Sequence, residues 1–430
     1  MSKNMKQELV PELRFPAFEN AEGWSSPQLG EISDRITKKV GDRKLTTVSI
    51  TAGKGFVSQA EKFSRDISGK QYKNYIVLKA GEFSYNKGNS KTFQQGAVYR
   101  LKEFEEVAAP NAFISFRFKT GYVPDFYKGY FDNNYHGRQI LKFITSGARS
   151  DGLLNIRPDD FFSIILPTPV DREEQQKIAD CLSSLDELIT AHIQKHQALQ
   201  SYKKGLVQNL FPSEGESVPT LRFPEFWDTG EWVLYSLGEK VKLLSGFPFK
   251  SQDISGDPSG IPLMRGINIT EGFIRHSPKI DRFFLGDAVP LEKYRLNVND
   301  LIIGMDGSKV GKNSAIVTEK DAGSLLIQRV ARLRSKREST IQFIFQHIHS
   351  RKFHSYVDRI NTSSGIPHIS AKQINEFEIC FPPVGGEQQK IAECLSSVDD
   401  LIAAQAQKIE ELKAHKKGLM QQLFPKIDGE

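Results

Sequence analysis

Apolar residues follow two patterns along this chain, and each pattern occurs twice. In the first they step by three and four: Ile178, Leu182, Leu185, Ile189, then Leu199, Leu206 and Leu210. The same steps return as Ile391, Leu395, Val398, Ile402, Ile409, Leu412, Leu419 and Leu423. Such spacing keeps one apolar stripe along a helix and is the seam of a coiled coil. Pro169 and Pro383 stand just before these stretches, and Pro212 and Pro425 just after, which brackets two helices. About 40 residues rising about 1.5 Å each make a rod of roughly 60 Å. One such helix would leave its stripe in water, whereas two with matching stripes bury each other. The pattern therefore predicts two long, mutually packed helices in an antiparallel coiled coil. His192 and His196 lie on the first seam, where the second carries Gln405 and Ile409, so they read as polar seam residues rather than metal ligands.

In the second pattern, short apolar runs alternate with Gly, Asn, Pro and Ser clusters, as in YIVLKAGEFSYNKGNS (75–90) and LIIGMDGSKVGKNS (301–314). These are strands joined by turns. Each such body also holds one helical stretch, roughly Pro124 to Ile144 and Thr340 to Ile360, followed by a Gly-containing loop at 146–152 and 362–368. The expected fold class is α/β (mixed α+β): two globular domains, two long helices and a pseudo-two-fold internal repeat.

The repeat is explicit in the residues. PELRFPAF (Pro11 to Phe18) returns as PTLRFPEF (Pro219 to Phe226), and Trp24 as Trp232. EQQKIADCLSSLDELI (Glu174 to Ile189) returns as EQQKIAECLSSVDDLI (Glu387 to Ile402), and KKGLVQNLFP (from Lys203) as KKGLMQQLFP (from Lys416). The expected segments are a first body at 1–168, a helix at 169–212, a second body at 213–382, and a second helix with its tail at 383–430. Frames this similar around interiors this different suggest one scaffold presenting two different binding surfaces.

Composition narrows the class. The chain has 430 residues, 39% hydrophobic and 26% charged, with no apolar run near the ~18 residues a membrane span needs. MSKNMKQELVPEL lacks the apolar core of a signal peptide, so a cytoplasmic location is expected. Cys181, Cys380 and Cys394 have no metal-ligand spacing, and two of them share one repeat position just before Leu-Ser-Ser. The net charge is +6, and the basic excess falls in the variable bodies rather than the repeated helices, which fits a polyanionic partner.

No catalytic motif stands out. DGSKVGKNS fails as a phosphate loop, with Asp306 in place of the first Gly and Asn313 in place of Ser/Thr. Phe381-Pro382-Pro383-Val384 lacks both ends of the tetrapeptide with which amino-methyltransferases hold a flipped base, and Pro158-Asp159-Asp160 reads as a turn. The bodies do carry the side chains of a DNA reader: Arg and Lys for phosphate and guanine, Asn for adenine, Ser and Tyr beside them. In the first body the candidates are Tyr85, Asn86, Lys87, Asn89, Ser90 and Lys91, with Arg149 and Ser150 on the later loop. In the second they are Ser308, Lys309, Lys312, Asn313 and Ser314, with Ser363, Ser364 and His368 on the later loop. What lifts these loops above ordinary surface is that both types recur in both bodies.

At the LRFP opener, the EQQKIA…LSS helix start and the KKGL…LFP end, the chain resembles the specificity subunits of type I restriction-modification systems. The resemblance runs the length of the chain, in the order body, helix, body, helix. It implies a subunit without a catalytic site, metal or cofactor of its own. It also implies that each body is a target recognition domain reading one half of a split, asymmetric site in double-stranded DNA. The seam helices would space the two readers and dock two methyltransferase subunits, which carry S-adenosylmethionine and methylate adenine N6. Two ATP-driven, Mg-dependent restriction subunits would complete the nuclease. The resemblance assigns no base contact residue by residue. Two other classes compete: a fragment of a fused restriction-methyltransferase, which needs a catalytic motif, and a coiled-coil adaptor, which needs no salt-dependent DNA affinity.

Overall fold

The computed structural model describes residues 9–51, 53–64, 69–88, 93–144, 154–336, 341–361 and 367–425. Its contacts define two compact units, residues 1–193 with 407–430, and residues 194–406. The two seam stretches are continuous helices, Arg172–Leu210 and Gly385–Leu423, of 39 residues each. Each unit therefore combines one variable body with part of both long helices.

In the first unit a four-stranded antiparallel sheet is built from β1 (Ser33–Arg35), β2 (Phe83–Asn86), β3 (Ala97–Arg100) and β4 (Ile114–Phe118), in the order β1-β4-β2-β3. Phe83 lies opposite Phe116, and both rings point into the core. Two short ladders, Val48–Thr51 with Gly55–Ser58 and Ile76–Lys79 with Glu106–Ala109, cover a smaller core of Ile36, Val48, Leu78 and Val107. Against the main sheet pack α1 (Pro124–Asp132) and α2 (Tyr135–Ile140). The single predicted helix is thus broken, because Asn134 adopts a left-handed φ of 55° that no α-helix continues through.

The main core takes Ile178 and Leu182 from the first long helix, Met420 and Leu423 from the second, and Phe424 just beyond its end. Asp186 of the first receives Lys416 of the second at 2.6 Å. As one helix advances the other retreats, so the two run antiparallel in this unit. Burial raises the Asp186 carboxyl, but Lys416 and Lys128 outweigh it and hold the group below the usual carboxylate range. Gly129 lets α1 approach closely: a Cβ there would lie 2.7 Å from the Phe424 ring. That ring is wedged against Tyr130 and Phe126, with centroids at 4.4 and 5.4 Å. Gly129→Val should therefore lower stability by about 1–3 kcal/mol, read as a shift of the urea midpoint; an unshifted midpoint would show that Phe424 can yield.

The second unit repeats the plan. β5 (Val241–Ser245), β6 (Leu301–Gly304), β7 (Ser314–Ile316) and β8 (Val330–Ser335) pair in the order β5-β8-β6-β7, the same arrangement as the first sheet. The second predicted helix is likewise two, α3 (Ile341–Ile348) and α4 (Arg351–Ile360), with the Ser350 hydroxyl capping α4 by accepting from the Phe353 N–H. Leu210 at the end of the first long helix and Phe211 just after it share this core with Ile391, Ala392 and Leu395 of the second. Lys203 meets Asp399 at 2.7 Å, the counterpart of Lys416 with Asp186.

Two further contacts recur. The opener is pinned to a helix end by Leu13 N–H donating to the Gln422 carbonyl at 3.0 Å, and by Leu221 N–H to Asn209 at 2.8 Å. The opener arginine also clasps the first glutamate of EQQKIA: Arg14 with Glu174 in one unit, Arg222 with Glu387 in the other. Along the seams Ile178, Leu182, Ile189, Ile391, Leu395, Val398, Ile409 and Leu412 are buried, and Leu185, Leu199, Leu206, Ile402 and Leu419 are half-buried. Among the described residues no helix is long and apolar enough to cross a membrane.

Candidate nucleic-acid interface

In each body the segment after one central strand of the main sheet bonds to a residue just beyond the later loop. In the first unit Lys87, just after β2, accepts through its carbonyl from the Leu154 N–H at 2.9 Å. In the second unit Met305, just after β6, accepts in the same way from Ile369 at 2.9 Å. Both units thus bring the segment after the third strand in spatial order, counted from β1 or β5, against the segment that follows the body helices.

In the first unit Asn86 forms a local turn, its Oδ1 accepting from the Gly88 N–H at 2.9 Å. Lys87 is half-buried, with Nζ 3.5 Å from the Ile156 carbonyl. Tyr85 is a correction: it is fully buried, stacks on Phe161 at 4.5 Å, and donates to the Gln95 carbonyl at 2.7 Å. Burial pushes its phenol well above the usual range. Its partner in alternation is Phe83, so the strand's period of two sends both inward, and Tyr85 has no face to offer a base. Asn89, Ser90, Lys91, Arg149 and Ser150 lie outside the described residues.

In the second unit Ser308 and Lys309 are exposed, and Lys309 lies 3.0 Å from Glu271. Lys312 pairs with Asp358 at 3.2 Å, and Asn313 is half-buried. Ser314 is a second correction: it opens β7 fully buried, its Oγ 2.9 Å from His349 Nε2, and so is spent inside the fold. Ser363 and Ser364 lie outside the described residues, while His368 is exposed beside them.

Two residues at this sheet end were not anticipated. Asp306 Oδ1 lies 2.5 Å from His368 Nδ1, and Arg329 Nε lies 3.1 Å from Asp306 Oδ2. Asp306 stands out in the sequence only as the wrong residue for a phosphate loop. Arg329 carries no local signal, since its position depends on a left-handed turn, φ 67°, that no Gly announces.

The type I restriction modification DNA specificity domain matches residues 22–201 and again 231–414. The chain belongs to this family. Among curated specificity subunits, that of MjaVIII from Methanocaldococcus jannaschii is 27% identical over 66% of this chain and 66% of its own length. That of EcoAI from Escherichia coli is 30% identical over 47% of this chain. The match spans only 33% of the EcoAI subunit's own length. The S subunit from M. genitalium shares the fold, with a TM-score of 0.63 over 97% of this chain and 100% of that one at 15% identity. A solved chain from the complex assembly and conformational transition of the type I system superimposes with a TM-score of 0.53 over 97% of this chain. The two family matches each take in one body and most of one long helix of this specificity chain, so the sequence repeat is a repeat of the family's domain.

Proposed function

We propose that this chain is the non-catalytic reading subunit of a type I restriction-modification complex, with each unit reading one half of a split, asymmetric DNA site. The observation that carries the reading is one frame used twice. Both units have the same strand order, the same Arg–Glu clasp and the same backbone bond beside the main sheet, while the loop sequences differ. A frame held constant while its loops change is how one scaffold serves two specificities. Base flipping and methyl transfer to adenine N6 then belong to two methyltransferase subunits carrying S-adenosylmethionine. Two restriction subunits using ATP and Mg add cleavage, and the complex works in the cytoplasm with the chromosome.

Two copies of one partner need two copies of one docking surface. The buried seam residues are occupied within the chain, so docking falls to apolar side chains that stay exposed in both repeats. Val10 and Val218, Leu13 and Leu221, and Leu188 and Leu401 are such pairs, each between 40 and 56% exposed.

The test is a genome-wide map of N6-methyladenine in the host with the gene intact and deleted. Deletion should erase one split motif, methylated once in each half on opposite strands. An unchanged map, together with DNA affinity that does not fall as salt rises, would favour an adaptor over a DNA reader.

A further inference from the structure

The turn between Leu325–Leu326 and β8 carries an arginine in an unusual state. Arg329 has a left-handed backbone, φ 67°, which side chains rarely adopt and which in folded proteins clusters at working sites. The turn is held there by its own carbonyl, which accepts from the Met305 N–H at 2.9 Å. Its side chain is 74% exposed, yet it is not left to wander: Nε sits 3.1 Å from Asp306 Oδ2. Asp306 is only 21% exposed and is fixed in turn by His368. The loop bearing Asp306 is tied to the loop bearing His368 through Gly307 N–H to the Pro367 carbonyl at 3.1 Å. Three loops thus converge to aim one guanidinium outward.

Chemistry narrows what that guanidinium meets. A carboxylate on the Nε side leaves the two terminal nitrogens, Nη1 and Nη2, as a planar pair of donors facing solvent. Guanine offers the matching pair of acceptors, O6 and N7, on its major-groove edge, and no other base does. A pre-aimed fork suits base reading, since ordering cost is met by the protein before DNA arrives. A phosphate anchor needs no such aiming.

We propose that Arg329 is a guanine-reading side chain of the second unit, positioned by Asp306, so that the half-site read by this unit contains a G·C pair contacted through O6 and N7. This rests on the reading of the chain as a DNA-recognition subunit.

The experiment uses the full chain assembled with its methyltransferase subunits on duplexes carrying the motif found in the host. Each guanine of the motif is replaced in turn by 7-deazaguanine, which lacks only the N7 acceptor. At one position in one half-site the wild-type complex should lose about 10-fold in affinity, and the Arg329→Ala complex should lose nothing further there. The Arg329→Ala host map should show that position relaxed to any base with the other half-site unchanged, which also shows the variant folded. Asp306→Asn should weaken the discrimination while DNA binding persists. If Arg329→Ala lowers affinity equally on every sequence, the residue is a phosphate contact and the proposal fails. If the variant's motif and affinity match wild type, the proposal fails while DNA reading stands. If the wild-type complex binds no DNA, the parent reading falls and this proposal with it.

Discussion

Glu387→Ala should cost the second unit about 3–5 kcal/mol, and Glu174→Ala should do the same to the first. In each unit the glutamate accepts a two-pronged bond from the opener arginine. Arg14 Nε and Nη2 reach Glu174 at 2.8 and 2.7 Å, and Arg222 Nε and Nη2 reach Glu387 at 2.7 and 2.8 Å. The Glu387 side chain is fully buried and that of Arg222 only 6% exposed. The arginines also donate to backbone carbonyls, Arg14 to Ala21 and Arg222 to Gly230, both at 2.8 Å. Trp24 adds an indole N–H to Glu174 at 3.2 Å. Removing the carboxylate leaves a largely buried guanidinium without its counter-charge, which is why the loss exceeds that of a surface pair. Replacing both partners by apolar residues, as in Arg222→Met with Glu387→Leu, should recover much of the loss, because no charge is then left buried. Urea unfolding of the two single variants and the double variant gives the coupling. Single variants within 1 kcal/mol of wild type would show that the clasp is ornamental.

That clasp also marks where sequence reasoning stopped. LRFP and EQQKIA are the most obvious repeated strings in the chain, and their spacing announced a duplicated frame. Nothing in either string says that the arginine of one binds the glutamate of the other, about 160 residues away. Long helices were legible because a three-and-four apolar rhythm over 39 residues has no competing reading. The break at Asn134 was not, because a left-handed residue is chosen by packing around it, and Asn only permits it.

The stretch after β6 stands beside His368 of the later loop, with Asp306 Oδ1 at 2.5 Å from its Nδ1, whereas residues 146–152 of the first body lie outside the described residues. Tyr85 and Ser314 were misassigned because the strands reach into the stretches read as loop: β2 runs on to Asn86, and β7 begins at Ser314. Phe83 already pointed inward, and Tyr85 follows it two residues on. Arg329 was invisible for the opposite reason: its role depends on Asp306 and a turn brought together from elsewhere in the chain, and neighbours in sequence do not report that.

Acid should unfold the second unit ahead of the first. His347 is 6% exposed, and burial, with help from the charge of Lys352, pushes its imidazole down to about 3 against a backbone bond to Cys380. His136 in the first unit is 1% exposed, and burial pushes it down to about 4. His349, half-buried in the second unit, is pushed down to about 4 chiefly by burial. The folded values lie below the ordinary value of about 6.5, so the unfolded chain takes up protons first. Their contribution is therefore complete above about pH 6.5 and is lost as pH falls through the folded values. At pH 5 each fully buried histidine costs on the order of 2 kcal/mol. Paired carboxylates such as Asp186 are held below the usual carboxylate range, so the window from pH 6.5 to 5 belongs to histidine. Trp24 reports on the first unit, and Trp227 and Trp232 on the second, so Trp→Phe variants separate the two transitions by fluorescence. Between pH 7.5 and 5.0 the urea midpoint of the second unit should fall further than that of the first. His347→Leu keeps an apolar side chain among Phe211, Phe343 and Phe381 but cannot titrate. Its stability relative to wild type should therefore rise by on the order of 2 kcal/mol over the same interval. Parallel pH profiles for the variant and wild type would mean that His347 is protonated without penalty in the folded unit, and that its burial does not govern the acid limb.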